Sequence, residues 1–286
     1  MNKCNLCPND CNIDRKVNLG FCGADDDVRI AKFYLHKFEE PVISGTNGSG
    51  TIFFCGCSLK CVFCQNYALS RNERGKKISI SELADIFKQL EDVGAHNVNL
   101  VTPTHYAHKI VQALNLYKPK IPVVYNTHGY EKIEILEELN DYVDVYLPDM
   151  KFYSPKVSNR YAKKENYFEV ASKAVEFMIK SKPLSFNNDG LIDKGVIVRH
   201  LVLPQNVSDS KKILDWFSPL KGEAFISVLS QYTPFGKLDD IPELKRKVTK
   251  REYNSVIDYA ISLGIEKMFY QKSESASEAF IPSWDF

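Results

Sequence analysis

GTIFFCGCSLKCVFCQN, residues 50–66, runs a short apolar strand straight into a loop holding three cysteines. The spacing Cys57-x3-Cys61-x2-Cys64 lets one tight turn present three thiolates to a single centre. A 4Fe-4S cluster normally takes four cysteines, so three leave one iron with an open coordination position, as a catalytic metal keeps one for its substrate. An open iron of that kind can chelate the amino and carboxylate groups of S-adenosylmethionine and bring its sulfonium within reach of an electron. A zinc ion completed by a distant histidine, or thiols that merely pack, are the competing readings. Cys55 lies within the strand and reads as a core residue.

Working outward, apolar β-branched runs recur at 51–54, 97–101, 122–125, 143–147, 196–203 and 225–229, which predicts six strands. Helical patterns fill the intervals at 81–93, 105–117, 131–139, 167–179, 210–217 and 250–263. The clearest carries Leu83, Ile86, Phe87, Leu90 and Val93 at helical spacing, with Ser79 and Glu82 as a capping box and Gly94 as its stop. Alternating strands and helices imply a parallel sheet covered by helices, either a barrel or an open doubly wound sheet. Residues 187–193 read as a polar surface loop.

These segments together carry a resemblance. The cysteine spacing with an aromatic residue, Phe63, before the third cysteine is similar to the signature of the radical S-adenosylmethionine superfamily. More narrowly, residues 50–66 with NLVTPTHY (99–106), VVYNTHGYE (123–131), YLPDMKF (146–152), VRHLVLP (198–204), SQYTP (230–234) and the ESA and FIP triplets (274–276, 280–282) resemble a family related to pyruvate formate-lyase activating enzyme. The resemblance implies an α/β fold, a partial (β/α)6 TIM-like barrel, over 51–286. A connector at 31–50 and a small cysteine-rich metal-binding head at 1–30 precede it. It also implies reductive cleavage of S-adenosylmethionine to a 5′-deoxyadenosyl radical. The target would be a glycine of a partner glycyl radical enzyme, with a small molecule, peptide or RNA base as the alternative, and flavodoxin or ferredoxin as electron donor.

In such folds ligands gather at the carboxyl ends of the parallel strands. Thr102 and Thr104 end the second strand, where relatives often carry Gly-Gly-Glu; they can supply hydroxyls to the cofactor, and Thr104 equally suits a helix cap. His105 beside them fits either a catalytic or a helix-start role. Asn126 and Thr127 end the third strand as further cofactor contacts. Asp149 and Lys151 end the fourth, resembling the family's Asp-x-Lys pattern, whereas a solvated ion pair is the plain alternative. On the fifth strand Arg199 and His200 are adjacent, so one of them enters the barrel, and the resemblance suggests that His200 lies near the adenosine or substrate. Ser230, Gln231 and Tyr232 end the sixth.

The eight cysteines fall in two groups, Cys4, Cys7, Cys11 and Cys22, then Cys55, Cys57, Cys61 and Cys64. Local thiol clusters in a chain with its own core read as metal sites of a reducing compartment rather than as disulfides. The first four suffice to enclose an auxiliary 4Fe-4S cluster or a zinc ion, and either would fold so short a segment. Two zinc sites in a non-enzymatic binding module form the remotest reading. Lys plus Arg number 37 against 36 Asp plus Glu, so no strong field attracts nucleic acid or anionic membrane. With no secretory signal or spanning segment in the sequence, a cytoplasmic location is expected.

Overall fold

The computed structural model describes residues 3–71, 75–236 and 238–271; the ESA and FIP triplets lie outside them. In chain order the elements are β1 (Val28–His36), α1 (Pro41–Ser44), β2 (Ser49–Phe54), α2 (Tyr67–Ser70), β3 (Lys76–Ile78), α3 (Ile80–Asp92), β4 (Val98–Val101), α4 (Ala107–Leu116), β5 (Val123–Thr127), α5 (Ile133–Leu139), β6 (Val145–Pro148), α6 (Pro155–Ala162), α7 (Tyr167–Ser181), β7 (Ser185–Phe186), β8 (Ile192–Leu201), α8 (Val207–Phe217), β9 (Phe225–Leu229), α9 (Lys250–Ser262) and β10 (Met268–Tyr270). Among the described residues no helix is long and apolar enough to cross a membrane.

The six expected strands are β2, β4, β5, β6, β8 and β9, and each pairs in parallel with the next along the chain. A doubly wound sheet reverses its strand order at a switch point. Here the order β9-β8-β6-β5-β4-β2 never reverses, which is the winding of a barrel. Parallel β10 extends one edge, while antiparallel β1 and β3 extend the other. No strand pairing joins those two edges among the described residues, so the barrel is partial.

β1 escaped the sequence reading because its alternating residues, VRIAKFYLH, are half-exposed and carry none of the dense apolar character of the parallel strands. It lies where a connector was expected and lays residues 28–36 along β2. α3 forms as its pattern requires. Ser79 caps it reciprocally with Glu82, and Leu83, Ile86, Phe87 and Leu90 are buried. Val93 does not join them. It is 62% exposed, because Gly94 at φ +81° turns the chain away at that point. The polar stretch 187–193 makes the turn of the β7–β8 hairpin and enters β8 at Ile192.

The helices cover the sheet with a large core that includes Leu136, Val175, Met178, Val196, Ile213 and Ile226. A second apolar cluster holds α3 and α4 against β2 and β4. With both faces of the strands covered, polar side chains concentrate where the strands end.

Candidate active site

Successive strand ends are latched to one another by backbone hydrogen bonds. Thr102 N donates to Asn126 O at 2.9 Å, Asp149 N to Thr127 O at 2.8 Å and Met150 N to Arg199 O at 2.8 Å. The latches carry the carboxyl ends of β4, β5, β6 and β8 to one rim, which the loop after β2 faces. Thr102 has φ +59°, a strained conformation for a β-branched residue costing of order 1–3 kcal/mol, and such strain concentrates where a site dictates the backbone.

A cavity of about 230 Å³ opens at this rim. Cys57, Cys61 and Cys64 all line it, with Phe63 between them. Across from the thiols stand Thr102, Asn126 and Thr127, then Asp149 and Lys151. Arg199 and Gln231, named from sequence on the fifth and sixth strands, line it too, as do His36, Glu39, Gln65 and His128, which were not singled out as site residues. Phe63 is 5% exposed and meets Phe152, Tyr161 and Tyr232 edge to face, with centroids 6.0–6.1 Å apart. That aromatic packing fixes the loop between its second and third cysteines.

The thiols suit a metal centre better than they suit free cysteine. Burial pushes Cys57, Cys61 and Cys64 all above the ordinary thiol range. A bound cation reverses that preference and makes thiolates of them. The amides of Leu59 and Lys60 already aim at Cys57 Sγ, at 3.4 and 3.5 Å, donors that favour a charged sulfur. Among the described residues no three His, Cys, Asp or Glu side chains converge on a single metal ion.

Charges on the far wall form a closed network. Lys151 Nζ stands 2.6 Å from Asp149 Oδ2. Arg199 contacts Asp149 Oδ1 through Nε at 3.2 Å and Glu39 Oε2 through Nη1 at 3.1 Å, and its Nη2 donates to Asn126. Burial alone would raise Asp149, but Lys151 and Arg199 outweigh it and hold the carboxyl below its ordinary value. Burial opposes the charge of Lys151 too, yet Asp149 keeps the ammonium above its ordinary value.

Two expected cofactor contacts do not reach the cavity. His200 is buried with Nδ1 2.8 Å from Met150 O and Nε2 2.8 Å from Ser210 Oγ on α8. Burial lowers it to about 4, so it serves packing as a neutral ring, and the inward position on β8 belongs to Arg199. Thr104 also points away. Its hydroxyl donates to Glu131 Oε1 at 2.5 Å, in a short 3-10 turn that it does not cap. His105 takes the helix-start position and is structural, with Nε2 2.7 Å from Cys55 O. Cys55 is fully buried, as a core residue should be.

The cysteine-rich head packs directly on the thiol loop. Cys57 N donates to Cys22 O at 3.2 Å, and Asn9 Nδ2 donates to Ser58 O at 2.7 Å while standing 3.5 Å from Cys7 Sγ. Gly20 sits where a Cβ would lie 3.2 Å from Cys22 Sγ and 3.9 Å from Cys11 Sγ, so those two sulfurs face one another across a glycine. Burial raises Cys7 to about 11, which again disfavours an unmetallated thiolate.

Comparison with known proteins bears on the family and the fold. The model of the radical SAM superfamily matches residues 51–217. An uncharacterized protein of Methanocaldococcus jannaschii is 33% identical over 276 residues, spanning 93% of this chain and 76% of that protein. Among solved structures, Streptococcus suis SuiB bound to precursor peptide SuiA superposes over 76% of this chain with a TM-score of 0.52 at 16% identity. The chain spans about half of SuiB, 46% of its length. Methylornithine synthase (PylB) superposes over 75% of this chain and 68% of its own, with a TM-score of 0.51 at 14% identity.

Proposed function

Because the chain belongs to the radical S-adenosylmethionine superfamily, we propose that Cys57, Cys61 and Cys64 hold a 4Fe-4S cluster with one open iron, and that S-adenosylmethionine binds there to begin radical chemistry. The observation that carries this reading is the cavity itself, which three thiols from one loop share with polar residues at the end of β5 and charged residues at the ends of β6 and β8. The cluster, when bound, supplies one electron to the cofactor's sulfonium, which releases a 5′-deoxyadenosyl radical.

The chain's own residues would then position and enclose. Asn126, Thr127 and Thr102 offer amide and hydroxyl groups to a polar ligand. Lys151 and Arg199 offer cations to a carboxylate, and Asp149 and Glu39 keep both charged and aimed. Phe63 and Leu59 wall the thiols from water. In the head, Cys4, Cys7, Cys11 and Cys22 suit an auxiliary cluster, for which the Cys22–Cys57 hydrogen bond and the Asn9 bridge give an electron a short path inward. Flavodoxin or ferredoxin would supply that electron, in a reducing cytoplasm where cysteines stay out of disulfides and available as metal ligands.

For the target, the resemblance favours a glycine of a partner glycyl radical enzyme. One observation favours a different class, a small molecule or peptide side chain. A second chamber adjoins the first, and a glycine has no side chain to fill it. One structural neighbour, SuiB, is bound to a precursor peptide and another is a methylornithine synthase, and at their low identities they carry the fold alone.

Anaerobic reconstitution followed by dithionite reduction tests the reading. The intact protein should bind iron and form 5′-deoxyadenosine from S-adenosylmethionine. Cys61→Ala should lose both the open-iron cluster spectrum and the nucleoside. Iron-free protein after reconstitution, or nucleoside formed equally by the variant, would overturn it.

A further inference from the structure

The second chamber, a cavity of about 390 Å³, lies on the β8–β9–β10 side and is lined by Glu40, Pro41, Ser227, Met268, Phe269 and Gln271. Phe38, Glu39, Arg199, Leu229 and Gln231 line both cavities, so they form the partition between them. None of the three cluster cysteines borders the second chamber.

Glu40 is the residue that this chamber leaves unexplained. It is 7% exposed, and its Oε2 is buried without a hydrogen-bond partner. The obvious local use of the carboxylate is to cap α1, whose N-cap position Glu40 occupies, but no side-chain capping bond forms. A buried carboxylate oxygen without a donor is costly unless a partner arrives.

Among the described residues no cation forms an ion pair with it. Arg199, whose charge reaches Glu40 at longer range, pairs with Glu39 through Nη1 and with Asp149 through Nε and donates to Asn126 through Nη2. Lys151 is engaged by Asp149. Around the partition three carboxylates, Glu39, Glu40 and Asp149, therefore face two cations, and among the described residues no ion pair reaches Glu40. The rest of the lining is mixed: Ser227, beside Glu40, and Gln231 and Gln271 are polar, whereas Phe38, Pro41, Leu229, Met268 and Phe269 are apolar, with Tyr270 at 64% exposure on the rim. A partly apolar wall with one buried carboxylate oxygen left without a hydrogen-bond donor or ion pair selects a guest that is greasy along its stem and positive at its end, and the aromatic rings add to the attraction.

We propose that the second chamber binds the substrate, and that the substrate carries a protonated amine or guanidinium on an apolar stem with Glu40 as its counter-ion. Calling the guest a substrate rests on the radical reading above; the charge preference of the chamber does not.

The test uses the full chain, anaerobically reconstituted, titrated with n-hexylamine and with its neutral isostere n-hexanol by ligand-detected NMR. The amine should bind at least about tenfold more tightly. In Glu40→Gln that preference should vanish while hexanol binding stays as it was, which also shows that the chamber is intact. Should the variant fold poorly, the wild-type comparison still decides, and Phe269→Ala should weaken both ligands while keeping the preference. Equal binding of the two ligands to wild type, or a preference that survives in Glu40→Gln, would overturn the proposal. Competition between hexylamine and S-adenosylmethionine would overturn it as well, by assigning Glu40 to the cofactor's ammonium. An amine preference in protein that never forms 5′-deoxyadenosine would sink the radical reading and leave the charge-selective chamber standing.

Discussion

Glu131→Gln should stabilise the protein by about 2–3 kcal/mol at pH 8.5 and change it little at pH 5. Glu131 is 2% exposed and packs behind the active-site rim. Its Oε1 accepts from both Thr104 and Thr127, and its Oε2 has no partner. Burial raises the carboxyl from 4.5 to about 7, against the opposing pull of the two hydroxyls. Since the folded value lies above the unfolded one, the stability it contributes is complete below about pH 4.5 and is lost as pH rises through about 7. That displacement, at 1.36 kcal/mol per unit, is worth about 3 kcal/mol. Glutamine keeps the acceptor for both threonines and cannot ionise. Its amide nitrogen, placed where Oε2 lies, forfeits part of the gain. The assay is urea unfolding of equally loaded, anaerobic proteins at both pH values. The quantity read is the variant-minus-wild-type difference, in which the other titrating groups cancel. A difference that is the same at pH 5 and pH 8.5, or that favours wild type as pH rises, would refute the reasoning.

Arg199→Ala leaves Glu39 and Asp149 as buried carboxylates without their shared cation, and should cost about 3–5 kcal/mol in chemical unfolding. His200→Ala should cost about 1–3 kcal/mol through the bonds it loses to Met150 and Ser210. The dissociation constant of S-adenosylmethionine should stay put in that variant, and a large rise would contradict the outward placement of the ring. Gly129→Ala would put a Cβ 2.3 Å from Asp149 O at φ +79°, so it should both lower the melting temperature and weaken cofactor binding.

The parallel strands were legible because burial on both faces writes them as continuous apolar runs. The same property hid which way β8 faces. Val196, Ile197 and Val198 are all fully buried, so no polar alternation marks an inner side, and the parity that places Arg199 inward and His200 outward is set by the sheet's packing. The thiol loop was legible because its three ligands are local in sequence. Glu39 and Glu40 were not, because they lie in the segment between β1 and α1 and reach the site only through non-local contacts, such as those of Glu39 with Asn99, Asn126 and Arg199, that no spacing records. The Thr104–Glu131–Thr127 cluster was hidden similarly. Its members come from two strand ends and carry ordinary turn and cap residues.

The order of charges from the thiols outward has a physical logic of its own. Lys151 is the cation felt by all three cluster cysteines, and a lone buried ammonium would tend to shed its proton. Asp149 prevents that by pairing with it, and Asp149 is itself held ionised by Arg199. Arg199 in turn needs a second anion at its outer edge, which Glu39 supplies. Each charge thus stabilises the next, and the series ends in the second chamber with Glu40, which feels Arg199 only at longer range and whose Oε2 has no hydrogen-bond partner. An incomplete series at the partition, rather than at the solvent face, is what a site shaped around an incoming positive group requires.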